Sequence, residues 1–377
     1  MARFSRREFL QSSIVAVAAT VSSSSRAASP LSAAGAIRWD AWYARKDNSI
    51  LAQENLGPNK FHARAPKHCE ELSLSDVSCV GSQVIMDNEI LAAAKGGLNF
   101  WAFVWFASDT SFRTAWDLYQ ASKYKSCVNW CGIATLEHFG SSSSGKLGWR
   151  EKCQEWAAYM AQKNYQRVEV SGVKERPLLF LLWYPSDIQN YFGGNLANVR
   201  SALSYLRELV TGRGLGAPYI VIMNGVNGAP LVSEVGADAI SNYIPSFVPG
   251  HLSSYVDLDK QAQKYWRQLS KTGAQTVPIA IVGWDTRPRQ DASSHWRPQN
   301  FDPDRYYSIA TPEQFSSHLR SAVSYIDNNL DSCPSRVLLI YSWNECDEGG
   351  ALMPTLGDPE GNLLAATAAV MSSRTCN

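Results

Sequence analysis

Residues 336–349 read Arg-Val-Leu-Leu-Ile-Tyr-Ser-Trp-Asn-Glu-Cys-Asp-Glu-Gly. The run from Arg336 to Trp343 is almost wholly apolar and of strand length, and the acids Glu345, Asp347 and Glu348 follow it at once. Such runs suit a parallel strand covered on both faces. The same pattern recurs upstream at 98–106 (LNFWAFVWF), 177–184 (PLLFLLWY) and 277–284 (VPIAIVGW), with shorter runs at 37–44, 128–134, 219–224 and 239–244. Helical patterns lie between them, at 82–95, 112–122, 149–165, 196–212, 253–272 and 311–329, and a last one at 362–372. Gly96-Gly97 stops the first, as glycine does past a helix end. Thr311-Pro312-Glu313 opens another with a capping residue and a first-turn proline. Eight strands alternating with helices give the cadence of an α/β protein, a (β/α)8 barrel forming a single catalytic domain. An open doubly wound sheet would carry a Gly-rich phosphate loop after its first strand. None follows 37–44.

The chain has 35 Lys+Arg against 34 Asp+Glu, a formal charge of +1, so nothing favours a nucleic-acid partner. Its 13 Trp and 16 Tyr admit two uses: filling a large core, or stacking flat faces on the apolar C–H faces of sugar rings. Eight cysteines could pair in 105 ways, so connectivity is not readable. Cys69 with Cys79 and Cys333 with Cys376 are plausible local pairs. Cys127-x-x-x-Cys131 lacks a second Cys/His pair, which argues against zinc.

The N-terminus suggests export. Ser5-Arg6-Arg7-Glu8-Phe9-Leu10-Gln11 precedes a short apolar run, residues 14–21, and has the form of a twin-arginine signal. Ser25-Arg26-Ala27 and Ser32-Ala33-Ala34 both fit small-x-small cleavage. The run is too short to span a bilayer, which needs about 20 residues. Residues 1–34 thus read as signal and processing region, and 35–377 as the barrel, with a periplasmic or secreted location and no stable membrane anchor.

Barrel active sites lie at the C-terminal ends of the strands. Those ends supply Asp40, Trp42 and Tyr43; Trp105; Glu137 and His138; Trp183 and Tyr184; Asn224; Tyr243; Trp284, Asp285, Arg287 and Arg289; and Trp343, Asn344, Glu345 and Glu348. Stacking faces beside bidentate donors and acceptors suit a carbohydrate. Glu345 and Glu348 are the sharpest pair. Glycosidic cleavage generally uses two carboxyl groups, one protonated and one ionised, and like charges held close push their pKa values apart. By spacing alone, Glu345-Cys346-Asp347-Glu348 could equally be an acidic loop, solvated or paired with Arg287 or Arg289.

Several segments carry a resemblance. Trp343-Asn344-Glu345-Cys346-Asp347-Glu348-Gly349 is similar to the W/F-N-E-W-x-E-G segment of glycoside hydrolase family 99 and its WbsX-like relatives. Gly283-Trp284-Asp285-Thr286-Arg287-Pro288-Arg289 resembles their G-W-D-N-x-P-R segment. Asp238-Ala239-Ile240-Ser241-Asn242-Tyr243 resembles their D-A-x-x-x-Y strand. Residues 86–100 resemble their second βα unit. The resemblance spans about 37–354 and implies a barrel acting on glycosidic bonds. It implies Glu345 as the base on the sugar's own 2-hydroxyl, giving a 1,2-anhydro intermediate, and Glu348 as acid and then base. It implies no metal or organic cofactor. Cys346 stands where the family has Trp, Asp347 where it has His or Ala, Thr286 where it has Asn, and Met353 where WbsX-like chains have Glu. The expected activity is retaining hydrolysis of an α-linked, mannan-like glycan. A glycosyltransferase or transglycosylase, and a non-catalytic carbohydrate-binding barrel, are the alternatives.

Overall fold

The computed structural model describes residues 31–108, 110–141, 148–244, 250–291, 304–371 and 376. The twin-arginine segment, its apolar run and Ser25-Arg26-Ala27 lie outside the described residues.

Eight parallel strands form the sheet: β1 (Ala33–Arg38), β2 (Phe100–Val104), β3 (Asn129–Thr135), β4 (Val173–Leu182), β5 (Tyr219–Met223), β6 (Ala239–Ser241), β7 (Gln275–Thr276 and Ile279–Ile281) and β8 (Val337–Tyr341). Each pairs with the next, and β8 pairs with β1, so the ring of neighbours closes as a (β/α)8 barrel. β7 is broken where Pro278 supplies no backbone N–H. On one side Val277 N–H donates to Ile240 O at 2.9 Å. On the other, Pro278 O accepts from Leu339 N at 3.1 Å. β5 and β8 are buried along their whole length, which is why the sequence shows unbroken apolar runs there.

The first strand departs from its expected position. It begins at Ala33, and the expected strand residues 39–44 leave the sheet as a loop. Ala33-Ala34-Gly35-Ala36 reads as linker because its residues are small. Small residues are what the position requires: a Cβ on Gly35 would lie 2.4 Å from the Phe100 ring on β2. Two short antiparallel pairings add to the barrel, Glu70–Ser73 with Asp76–Ser78, and Arg167–Val170 against the start of β4.

The outer helices follow their sequence signals. Leu196–Thr211 buries Val199, Ala202, Leu203, Leu206 and Val210, which lie three or four residues apart on one face. Pro312–Asn328 opens on a capping box in which Gln314 N–H donates to Thr311 Oγ1 and Thr311 N–H donates to Gln314 Oε1. Among the described residues, no helix is long and apolar enough to cross a membrane.

Cys69 and Cys79 are bridged. Cys376 pairs with Cys127 rather than with Cys333, which is buried beside Thr276. Chain separation gave no hint of a link between the entry to β3 and the C-terminus. The Cys69–Cys79 bridge closes a loop of sequence separation 10, for which restriction of the unfolded chain contributes about 3 kcal/mol. Cys79→Ser is expected to lower unfolding stability by that order in a denaturant titration; an unchanged midpoint would contradict this.

Candidate active site

β8 delivers the acidic segment to the mouth of the barrel. Residues Cys346–Glu348 form one turn of 3-10 helix with Glu345 as its N-cap. Side chains three apart eclipse in such a turn. Glu345 and Glu348 therefore face the same way, into a cavity of about 450 Å3. Cys346 and Asp347 point elsewhere: Cys346 lines a separate cavity with Ala63, Arg64 and Ile309, and Asp347 accepts from Asn55 Nδ2 at 2.8 Å. Ser342 fastens the turn at both ends, accepting from Glu345 N–H at 2.8 Å and donating to Gly350 O at 3.1 Å. Gly349 closes it at φ 71°, a left-handed conformation that favours glycine.

Arg289, on the short helix Pro288–Asp291 after β7, reaches all three acids. Its guanidinium contacts Glu348 directly, lies 2.8 Å from Asp347 Oδ2 and lies 3.8 Å from Glu345 Oε2. Tyr243 donates its hydroxyl to Glu345, and Tyr341 donates to Glu348. Burial raises the Glu345 carboxyl well above its ordinary 4.5. The charge of Glu348 adds to this, and Arg289 opposes it. Burial also raises Glu348, against the pull of Arg289 and with a further push from Asp347.

This has a stability consequence. Both folded-state values lie above the unfolded ones, so the folded protein binds protons more tightly. Their contribution to stability is therefore greatest below the ordinary 4.5 and falls as pH rises through the raised values. Glu345→Gln is expected to flatten this decline and to melt higher than wild type at neutral pH. A lower melting temperature there would contradict it.

Much of the remaining cavity wall is apolar. Val104 and Ile133 are register neighbours on β2 and β3, as are Thr135 and Leu182 on β3 and β4, and all four line it. Trp39, Trp105 and Phe106 complete that wall. Phe112 packs 4.7 Å from Phe106 and 5.2 Å from Trp39. The Arg113 guanidinium lies 3.9 Å over Trp105 and donates to Phe106 O at 2.9 Å. Glu137 and Tyr184 stand at the rim, with Tyr191 donating to Glu137 at 3.0 Å.

The family model described as glycosyltransferase WbsX matches residues 143–365, more than half of the chain. The chain belongs to the WbsX family. This WbsX-family barrel is also similar to two solved structures of a GH99 endo-alpha-mannosidase from Bacteroides thetaiotaomicron. One is 12% identical, with 92% of this chain and 100% of that chain covered and a TM-score of 0.55. The other, in complex with bis-tris-propane, is 13% identical, with 90% and 96% covered and a TM-score of 0.52. At that identity the likeness is one of fold. No curated protein matches the chain.

Of the residues singled out from the WbsX-family sequence, Trp105, Glu137, Tyr184, Tyr243, Arg289, Glu345 and Glu348 meet at the cavity. The others do not line it. Asp40, Trp42, Tyr43, Trp343 and Asn344 are buried beneath the mouth. There Arg38 pairs with Asp40 and Glu89, Trp343 donates to Glu89 at 3.0 Å, and Asn344 bonds Asp40 and Trp39 N–H. This network holds the β1 and β8 ends together. Asp285 is gripped by Arg287 and Arg64. Burial raises its carboxyl, but those two arginines outweigh burial and bring it below its ordinary value. Trp284 packs at 5.8 Å against Tyr341, Trp183 is buried, and Asn224 precedes a 3-10 turn after β5. Selecting polar strand ends missed Trp39, Val104, Phe106, Ile133, Thr135 and Leu182. The alternation of inward positions along β2 to β4 carried that signal, and so did the true end of β1, which makes Trp39 the first residue past the strand.

Among the described residues, no group of three His, Cys, Asp or Glu side chains could hold a metal ion.

Proposed function

We propose that this protein is a retaining glycoside hydrolase acting on an α-linked, mannan-like polysaccharide or oligosaccharide, with Glu345 and Glu348 as its catalytic pair. The observation that carries the reading is the pair itself. Two buried glutamates on one turn, both raised from their ordinary value by burial, share an arginine and face an aromatic-walled cavity. Glycosidic cleavage requires a carboxylic acid beside a carboxylate.

Within the protein, Arg289 contacts Glu348 more closely than Glu345, which favours the proton on Glu345. A sugar 2-hydroxyl donating to Glu345 reverses that preference and moves the proton to Glu348. Glu345 then takes the 2-hydroxyl proton as O2 attacks C1, and Glu348 protonates the departing oxygen. In the second half, Glu348 accepts a proton from water as water attacks C1 of the anhydro sugar, and Glu345 returns its proton to O2. Trp39, Phe106 and Tyr184 offer stacking faces, Trp105 backs the wall beneath Arg113, and Tyr243 and Arg289 orient the acids. No cofactor takes part.

The family's description supports a second reading, sugar transfer. A nucleotide-sugar diphosphate would face Glu137, Glu345 and Glu348, and among the described residues the cation lining the cavity, Arg289, is already engaged by three carboxylates. That electrostatics favours a neutral glycan. Incubation with a polysaccharide panel that includes α-mannans, read by mass spectrometry, separates the readings. Hydrolysis creates new reducing ends, transfer creates longer chains, and binding alone creates neither.

We further propose export through the twin-arginine segment to the periplasm or beyond. Cleavage after Ala34 would remove the first two residues of β1, whereas cleavage after Ala27 keeps the strand whole. The mature N-terminus is expected near residue 28; N-terminal sequencing that finds Gly35 would contradict this.

A further inference from the structure

Asp347 is wholly buried, sits between the two glutamates in sequence and does not line the cavity. It accepts from Asn55 Nδ2 at 2.8 Å, from Arg289 Nε at 2.8 Å and more distantly from Arg289 Nη2 at 3.4 Å. Its two oxygens thus hold one edge of the guanidinium. The same guanidinium reaches Glu348 through Nη1 and lies 3.8 Å from Glu345 through Nη2. Three carboxylates converge on one cation.

We propose that Asp347 is a positioning residue that seats Arg289 between Glu345 and Glu348. It rests on the glycosidase reading above. Arg289 has a long side chain; held along one edge by Asp347 and, behind it, by Asn55, its guanidinium meets both acids at once. Asp347 also adds a buried negative charge that disfavours full ionisation of the pair, consistent with its upward push on both glutamates. The other charges near this turn do not cancel it. Asp285 is matched by Arg64 and Arg287, and Glu54, on the helix that carries Asn55, is exposed.

Asp347→Asn keeps the side chain's shape and removes its charge. In that variant kcat is expected to fall about tenfold to a hundredfold, with KM within about twofold because residue 347 is outside the cavity. The alkaline limb of kcat/KM, which reports loss of the acid's proton, is expected to move down by about one pH unit. Asn55→Ala removes the tether without the charge. It is expected to lower kcat with the limb unmoved. A purely structural role would lower the melting temperature in both variants and move neither limb; superimposable pH profiles overturn the proposal. Melting temperature against pH reads the same coupling without substrate. The wild-type decline is expected at lower pH in Asp347→Asn, so absence of any glycosidase activity sinks the functional reading while this readout still judges Asp347. Should Asp347→Asn fail to fold, an unchanged kcat in Asn55→Ala overturns the seating.

Discussion

Glu345→Gln and Glu348→Gln are each expected to lower turnover by about three to four orders of magnitude while the protein still folds. Glutamine matches the shape of glutamate and keeps an acceptor for Tyr243 or Tyr341, so the loss reports proton transfer rather than collapse of the turn. The two variants differ in how they can be rescued. In the proposed mechanism Glu348 protonates the leaving oxygen, so a substrate with an acidic phenol as leaving group would need no acid and is expected to recover much of the first step in Glu348→Gln. Glu345→Gln gains nothing from that substrate, because the 2-hydroxyl still lacks a base. Equal rescue of both, or of neither, would remove the division of roles. Steady-state kinetics on natural and aryl glycosides decides it.

Arg289→Met has the second large effect, on stability as well as rate. It leaves Glu345, Asp347 and Glu348 buried together without their shared cation. Breaking such a pair by removing one partner costs about 3–5 kcal/mol. The cost depends on pH. Without Arg289 the folded carboxyls lie still further above their unfolded values, so the penalty is full at neutral pH and shrinks as pH falls through that range. Urea unfolding at pH 8 is expected to show the whole loss, and at pH 5 a smaller one. An equal loss at both pH values would mean that Arg289 contributes packing and not charge.

The barrel was legible because its central strands are covered on both faces and so appear as continuous apolar runs. β8 and β2 were plain for that reason. β1 was not, because its contact with Phe100 demands alanine and glycine, which carry no strand signal. The catalytic-pair candidates were legible too: an apolar strand ending in Glu-x-x-Glu places both acids on one side of a tight turn. The surrounding wall was harder to read. A search for polar rim residues finds Tyr243 and Arg289, but also Asp40, Asn344 and Asp285, whose partners are buried neighbours that sequence spacing does not reveal. The aliphatic wall of Val104, Ile133 and Leu182 looks like ordinary core until the strands are arranged around a cavity. The Asp347–Arg289–Asn55 contacts join segments more than fifty residues apart and lie beyond any local pattern.

The central claim is that Glu345 and Glu348 together cleave an α-glycosidic bond with retention. Proton NMR of an α-mannan digest, followed from the first minutes with wild type and Glu348→Gln, tests it most directly. The account predicts that wild type releases the α-anomer first and that it then mutarotates, with no new reducing ends from the variant. Release of the β-anomer, or the same product at the same rate from both proteins, would contradict it.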